Sequence, residues 1–161
     1  MNAPAEEKSA FKIIASNRKA SHDYHIVEKF EAGIELKGAE VKSIREGRVS
    51  LGEAYASIEN GQIVLYHLHV LPYVHSRIAE HDPIRPKRLL MHKDQIHRLV
   101  GQTAVKGFTV IPLKVYLKKG WVKIELGLAK GKLAEDKRES IKRKTADREV
   151  QRIISSRVKG R

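Results

Sequence analysis

The sequence predicts a mainly β protein, an OB-like antiparallel barrel with short inserted helices and a basic C-terminal tail. Three observations carry this. Short alternating runs of β-branched and aromatic residues recur between tight-turn signals. Two of those runs are hairpins around Asn60-Gly61 and around Lys118 to Gly120. From Lys130 to Arg161 the chain changes character: twelve basic and five acidic residues give it +7 of the total +13, and its apolar residues thin out.

Residues 1–15 read as a loose N-terminal arm, 16–132 as the barrel and 133–161 as the tail. "SNRKASHDY" is polar and basic. "YHIVEKF", Tyr24 to Phe30, has strand composition, Gly33 is expected to bend the chain, and "IELKG" continues extended. "AEVKSIREG" is a short helix with Val41 and Ile44 on one face and Gly47 as its stop. In "AYASIENGQIVLYHLHV", Asn-Gly is the type I′ turn pair between alternating arms. "HDPIRPKR" is a loop broken by Pro83 and Pro86. A helix follows from about Lys93, with Ile96, Leu99 and Val100 as its buried face and Gly101 or Gly107 as its end. "FTVIPLKVYLKKGWVKIELGLAKG" is the second hairpin, with Pro112 disturbing its ladder. The tail holds no glycine or proline from Ala134 to Ser156, so a helix there is unbroken, yet it lacks a wide apolar stripe to dock on a core.

Composition narrows function. The 161 residues contain no cysteine, which excludes disulfides and thiolate metal sites. No apolar run is long enough to span a membrane, and the start lacks the order of a signal peptide, so a cytoplasmic protein is expected. A charge of +13 favours a polyanionic partner, above all nucleic acid. The eight histidines do not form a ligand pattern. His67 and His69 alternate on a strand and so share one face, with His75 and His81 as candidate third ligands, but a structural metal stays a minority reading. "GLAKGK" lacks the spacing and the hydroxyl of a phosphate loop. No triad or paired carboxylates suggest catalysis. No cofactor is implied.

Three basic clusters remain: Asn17-Arg18-Lys19, the Arg85/Lys87/Arg88 loop, and the tail. Glu28, Glu31 and Glu35 read either as solvated strand residues or as acceptors for base edges and 2′-hydroxyls. An OB-fold module that binds nucleic acid without further action, and a histidine-using nuclease, are the rival readings.

The stretches "NRKASHDY", "FEAGIELKGAEVKSIREGRVSL", "ENGQIVLY", "HDPIRPKRLLMHK", "GFTVIPLKVYLKKGWVKIELGLAKGK" and "DKRESIKR" together resemble the small protein B family, the transfer-messenger RNA (SsrA RNA) binding proteins of bacterial trans-translation. The resemblance implies a monomer whose barrel binds the tRNA-like end of that RNA, with elongation factor Tu possible in the delivery complex. It implies a tail that is disordered when free and helical in the empty mRNA channel of a stalled ribosome. It places Asn17, Arg18, Lys19, Glu31, Leu90, His92 and Lys123 in the RNA-facing region. Glu40, Lys42 and Arg45 fall on the neighbouring short helix, and Lys130 and Lys132 at the entry to the tail. Asp136, Lys137 and Arg138 form the "DKR" needed for tagging. Glu135 stands where the family often has a residue able to stack.

Overall fold

The computed structural model describes residues 11–77 and 82–159. The element order is β1 (Phe11–Ser16), α1 (Arg18–Asp23), β2 (Tyr24–Ile34), α2 (Gly38–Arg45), β3 (Val49–Ser50), β4 (Tyr55–Glu59), β5 (Gln62–Tyr66), β6 (His69–Val70), β7 (Lys87–Leu90), α3 (Lys93–Thr103), β8 (Phe108–Lys118), β9 (Trp121–Gly131) and α4 (Ala134–Lys159).

Pairing closes the main sheet on itself. β8 pairs with β4, β4 with β5, β5 with β7, β7 with β2, β2 with β9, and β9 returns to β8, every pair antiparallel. This ring is the barrel. Both hairpin turns are left-handed at both central residues: Asn60 has φ 51° and Gly61 74°, Lys119 has 50° and Gly120 81°. That geometry matches the twist of the flanking strands.

Pro112 marks where β8 changes neighbours. Its missing N–H cannot serve a ladder, and the β8–β9 register slips between Pro112 and Lys114. On one side of the bulge β8 meets β4 at Val110; on the other it meets β1 from Lys114 to Lys118. Asn17 stitches the bulge, its backbone N–H donating to the Leu113 carbonyl (2.7 Å) and its Nδ2 to the Pro112 carbonyl (3.1 Å).

The core fills the barrel with residues that alternate along the strands: Ile63 and Leu65 of β5, Leu89 of β7, and Val122, Ile124 and Leu126 of β9 are buried. Ile44 of α2 and Leu99 of α3 join them from the helices. Each such side chain contributes about 1.5–3 kcal/mol by leaving water. A smaller cluster outside the barrel seats α1 through Ala20 against Ile111, Leu113 and Ala129.

The structure departs from the sequence reading in five places. Residues 11–15 belong to a paired strand, not a loose arm, because β8 is long enough to carry β1 beyond its bulge; residues 1–10 lie outside those described. "NRKASHD" folds as α1, capped by Asn17, whose Oδ1 accepts from the Ala20 N–H (3.2 Å). Gly33 does not bend the chain: it continues β2, pairing with Lys123 on one side and Leu90 on the other. Val100 is exposed while Ile96 and Leu99 are buried, and α3 runs through Gly101 to Thr103, before Gly107 turns at φ 91°. His67 sits at a left-handed kink (φ 57°) after β5, so it does not share a strand with His69. His81 lies outside the described residues; among those described no three His, Asp or Glu side chains gather as metal ligands. Among them too, no helix is long and apolar enough to cross a membrane.

Candidate nucleic-acid interface

Five of the expected RNA-facing residues, Glu31, Arg88, Leu90, His92 and Lys123, line one open groove of about 680 Å³. Strand alternation and one glycine build it. β2 and β9 turn Ala32 and Ile124 inward, which sends Glu31 and Lys123 outward. Between them Gly33 carries no side chain. A Cβ there would lie 3.3 Å from the Leu90 Cβ, closer than packing normally allows, so the glycine lets the end of β7 come up to the groove floor. Leu90 is left half in water, 51% exposed, an apolar surface in a polar trough. His92 follows at the N-cap of α3 with no side-chain capping bond, so its ring is free to meet a ligand.

The charges in the groove are differently disposed. Tyr116 Oη donates to Glu31, and Lys118 Nζ stands 3.3 Å from the same carboxylate. The hydrogen bond from Tyr116, with that of Lys118 behind it, holds Glu31 below the usual carboxylate value. Burial, then Glu31, pushes the Tyr116 phenol up, so it stays a donor. Glu31 is thus an ionised acceptor in a fixed place. Arg88 Nε is 2.8 Å from Glu35 Oε2. Among the described residues no carboxylate lies within ion-pair distance of Lys123, which leaves its ammonium for a phosphate.

The other expected residues divide. Arg18 and Lys19 are exposed beside a second hollow of about 540 Å³ between β1, α1 and β3. Asn17 borders that hollow, but its amide is already committed to the α1 cap and to the Pro112 carbonyl. On α2, Lys42 is exposed with its ammonium 5.4 Å from the centre of the Tyr73 ring, and Arg45 donates to the Gly120 carbonyl at 3.0 Å. Lys130 is exposed, 5.8 Å above the Phe108 ring, and Lys132 Nζ donates to the Ser21 carbonyl at 2.9 Å.

Two expected contacts are overturned by burial. Lys87 is fully enclosed, and Glu40 is 2% exposed. They face one another beneath α2, Lys87 Nζ 3.4 Å from Glu40 Oε2, an ion pair without hydrogen-bond geometry. Glu40 Oε1 accepts from the Lys37 N–H (2.8 Å) and from Arg85 Nη2 (2.7 Å), and Lys87 donates to the Arg85 carbonyl (2.8 Å). Burial pushes Glu40 up, but the Arg85 and Lys37 hydrogen bonds and the neighbouring cations outweigh it and hold the carboxyl low. Burial also lowers Lys87. These groups neutralise one another and fasten the start of α2 to β7, and Arg85, half-buried, is largely spent on the same task. A cluster of basic letters in sequence does not reveal that every second residue of a strand points inward.

At the tail, Asp136 and Lys137 touch the barrel side: Asp136 Oδ2 is 3.5 Å from His25 Nε2, and Lys137 Nζ is 3.5 Å from Asp23 Oδ1. The His22 hydrogen bond lowers Asp23 and, together with Lys137, outweighs the desolvation that opposes it. Asp136 also accepts from the Leu133 N–H at 3.3 Å, closing the first turn of α4. Arg138 is exposed, and so is every residue from 141 to 158.

Sequence reasoning missed the groove's other contributors. The Asn60-Gly61 turn forms one wall, next to Lys93 and Gln95 of α3. The turn was legible as a turn, but nothing in its local pattern says that β5 lies beside β7.

Residues 14–156 match the family model described as "SmpB protein". The chain belongs to the SmpB family. Among its relatives is the SsrA-binding protein of Carboxydothermus hydrogenoformans, 56% identical over 146 residues that cover 91% of this chain and 98% of the relative. The SsrA-binding protein of Caldanaerobacter subterraneus subsp. tengcongensis is 50% identical over 156 residues, covering 97% and 99%. A solved chain from "tmRNA-SmpB: a journey to the center of the bacterial ribosome" superposes with a TM-score of 0.63 at 45% identity, covering 78% of this chain and 92% of that one. The matched SmpB region takes in the groove, α1 and most of α4.

Proposed function

We propose that this SmpB family member is an RNA-binding protein of trans-translation, which holds the tRNA-like domain of transfer-messenger RNA and brings it to stalled ribosomes. The groove carries the reading. It combines an unpaired cation (Lys123), an ionised acceptor (Glu31), a free imidazole (His92) and an exposed apolar floor (Leu90). Such a set meets phosphate, 2′-hydroxyl and base together, as recognition of folded RNA requires. The names of the relatives, SsrA-binding protein, support the same RNA.

In this reading the tail acts on the ribosome. α4 is 26 residues long, about 39 Å at 1.5 Å per residue. It carries basic side chains around its surface and exposes Ile141, Val150, Ile153 and Ile154. A rod of that shape suits an RNA-walled channel. Asp136, Lys137 and Arg138 stand at its base, where the tail leaves the barrel.

The test is binding of a tRNA-like transcript against single-stranded DNA of equal length at matched salt. The RNA is expected to bind more tightly, with a log–log salt slope of roughly −0.7 to −0.9 per phosphate neutralised. Equal affinities would remove the reading. Changing Asp136, Lys137 and Arg138 together to Ala is expected to spare RNA binding and stop peptide tagging. Normal tagging by that variant would overturn the role of the tail residues and move the ribosome function back into the barrel.

A further inference from the structure

We infer that Trp121 is a stacking platform for an unpaired base of the bound RNA, extending the groove to the tip of the β8–β9 hairpin. The inference rests on the RNA-binding reading above and adds a contact to it.

Trp121 is the single tryptophan of the chain, and it is 73% exposed. Leaving an indole in water costs hydrophobic free energy that nothing in the barrel recovers. Its position is specific. Along β9, Val122 and Ile124 point into the core, so Trp121 and Lys123 share the outward face, about 7 Å apart. Lys123 is already a wall of the groove. The indole therefore stands one step beyond the groove on the same surface.

Its surroundings are cationic. Arg45 reaches across from α2 to donate to the Gly120 carbonyl, fixing the turn that immediately precedes Trp121. Lys119 occupies the turn itself. Among the described residues neither Arg45 nor Lys119 has a carboxylate within ion-pair distance, whereas Lys118, opposite Trp121 in the ladder, is spent on Glu31. An exposed ring with unneutralised cations beside it complements a nucleotide, whose base stacks while its phosphate meets the charge. The same charges disfavour an apolar protein surface as the occupant.

Because Trp121 is unique, its emission reports this contact alone. The full chain is titrated with a transcript of the tRNA-like domain, and binding is followed separately by anisotropy of labelled RNA. At RNA saturation Trp121 emission should be quenched and the ring protected from acrylamide. Trp121→Ala should weaken RNA binding roughly tenfold with an unchanged melting temperature, and Trp121→Phe should restore most of the affinity. If the RNA binds but emission and accessibility stay as in the free protein, or if Trp121→Ala binds as tightly as the parent, the platform is overturned and the RNA-binding reading stands. If the RNA does not bind at all, both fall.

Discussion

The barrel and the C-terminal helix are both basic, yet they are held in opposite ways. In the barrel, charged residues that cannot reach water have their partners built in, as Lys87, Glu40 and Arg85 do. A core of apolar residues, from Ile44 to Leu126, is buried inside. In α4 the apolar residues stay outside: Ile141, Val150, Ile153, Ile154 and Val158 are each about half exposed or more. Its links to the barrel are polar and confined to its first turns. The difference teaches that one charge total covers two designs. The first is a surface preorganised by a core. The second is a segment whose stability must come from whatever surrounds it.

Breaking the barrel's internal pairing should have the largest effect. Glu40→Ala strands Lys87 as a buried, unpaired charge, so urea unfolding should show a loss of about 3–5 kcal/mol. Adding Lys87→Met should return a good part of it, because the apolar chain needs no partner. A double variant no more stable than the single one would show that the pair is not the cause.

A smaller loss is expected from Gly127→Ala. A Cβ at Gly127 would come within 3.0 Å of Leu113 Cδ1 and 3.3 Å of Ile26 Cγ2. Overpacking of this kind costs about 1–3 kcal/mol. An unchanged denaturation midpoint would mean that Leu113 moves aside freely.

Acid should act on the barrel next. Glu31 and Glu40 both sit below their ordinary value of 4.5 in the folded state. A depressed carboxyl contributes fully above its unfolded pKa, and the contribution is lost as pH falls through the folded one. Stability from these two groups should be level from pH 7 to about 5 and fall below about 4.5. Glu31→Gln should flatten that fall. A variant with the parent's slope would assign the acid loss to other carboxylates.

The smallest effect on stability should come from the largest deletion. Removing residues 133–161 takes away the whole of α4 but no member of the barrel core. The unfolding free energy should change by less than about 1 kcal/mol, within the range of surface changes. The isolated tail should show far less helix by circular dichroism than its 26 helical residues imply. A sharp drop in the melting temperature would show that α4 packs on the barrel after all.

Much of this comparison was legible in the sequence, for reasons that differ by region. The two hairpins announced themselves because Asn60-Gly61 and Lys119-Gly120 supply left-handed turns between alternating strands. α2 announced itself through Val41 and Ile44. The rest depended on distant partners. β1 exists because β8 carries a strand past Pro112; Phe11, Ile13 and Ile14 have strand composition, but they do not name the distant partner. α1 is only six residues long, too short for a periodic signal, and depends on the Asn17 cap. Of the candidate site, the resemblance named the residues that the groove unites. Composition could only say that cations were plentiful. It could not separate Lys123, free at the surface, from Lys87, enclosed in the protein.

The long β2–β9 ladder also has a consequence in time. Tyr24 pairs with Gly131 and Gly33 with Lys123, so the first long strand of the ring is matched by the last. A chain emerging from synthesis at about 5–20 residues per second must expose that edge of β2 for several seconds before its partner exists. Pairings this far apart in sequence also close slowly once both strands are present. β2 spends the interval with Glu28, Lys29, Glu31 and Glu35 at or near its edge, and charges of this kind deter edge-to-edge pairing with other nascent chains. These charged residues are therefore well placed to act first as guardians of an unfinished barrel.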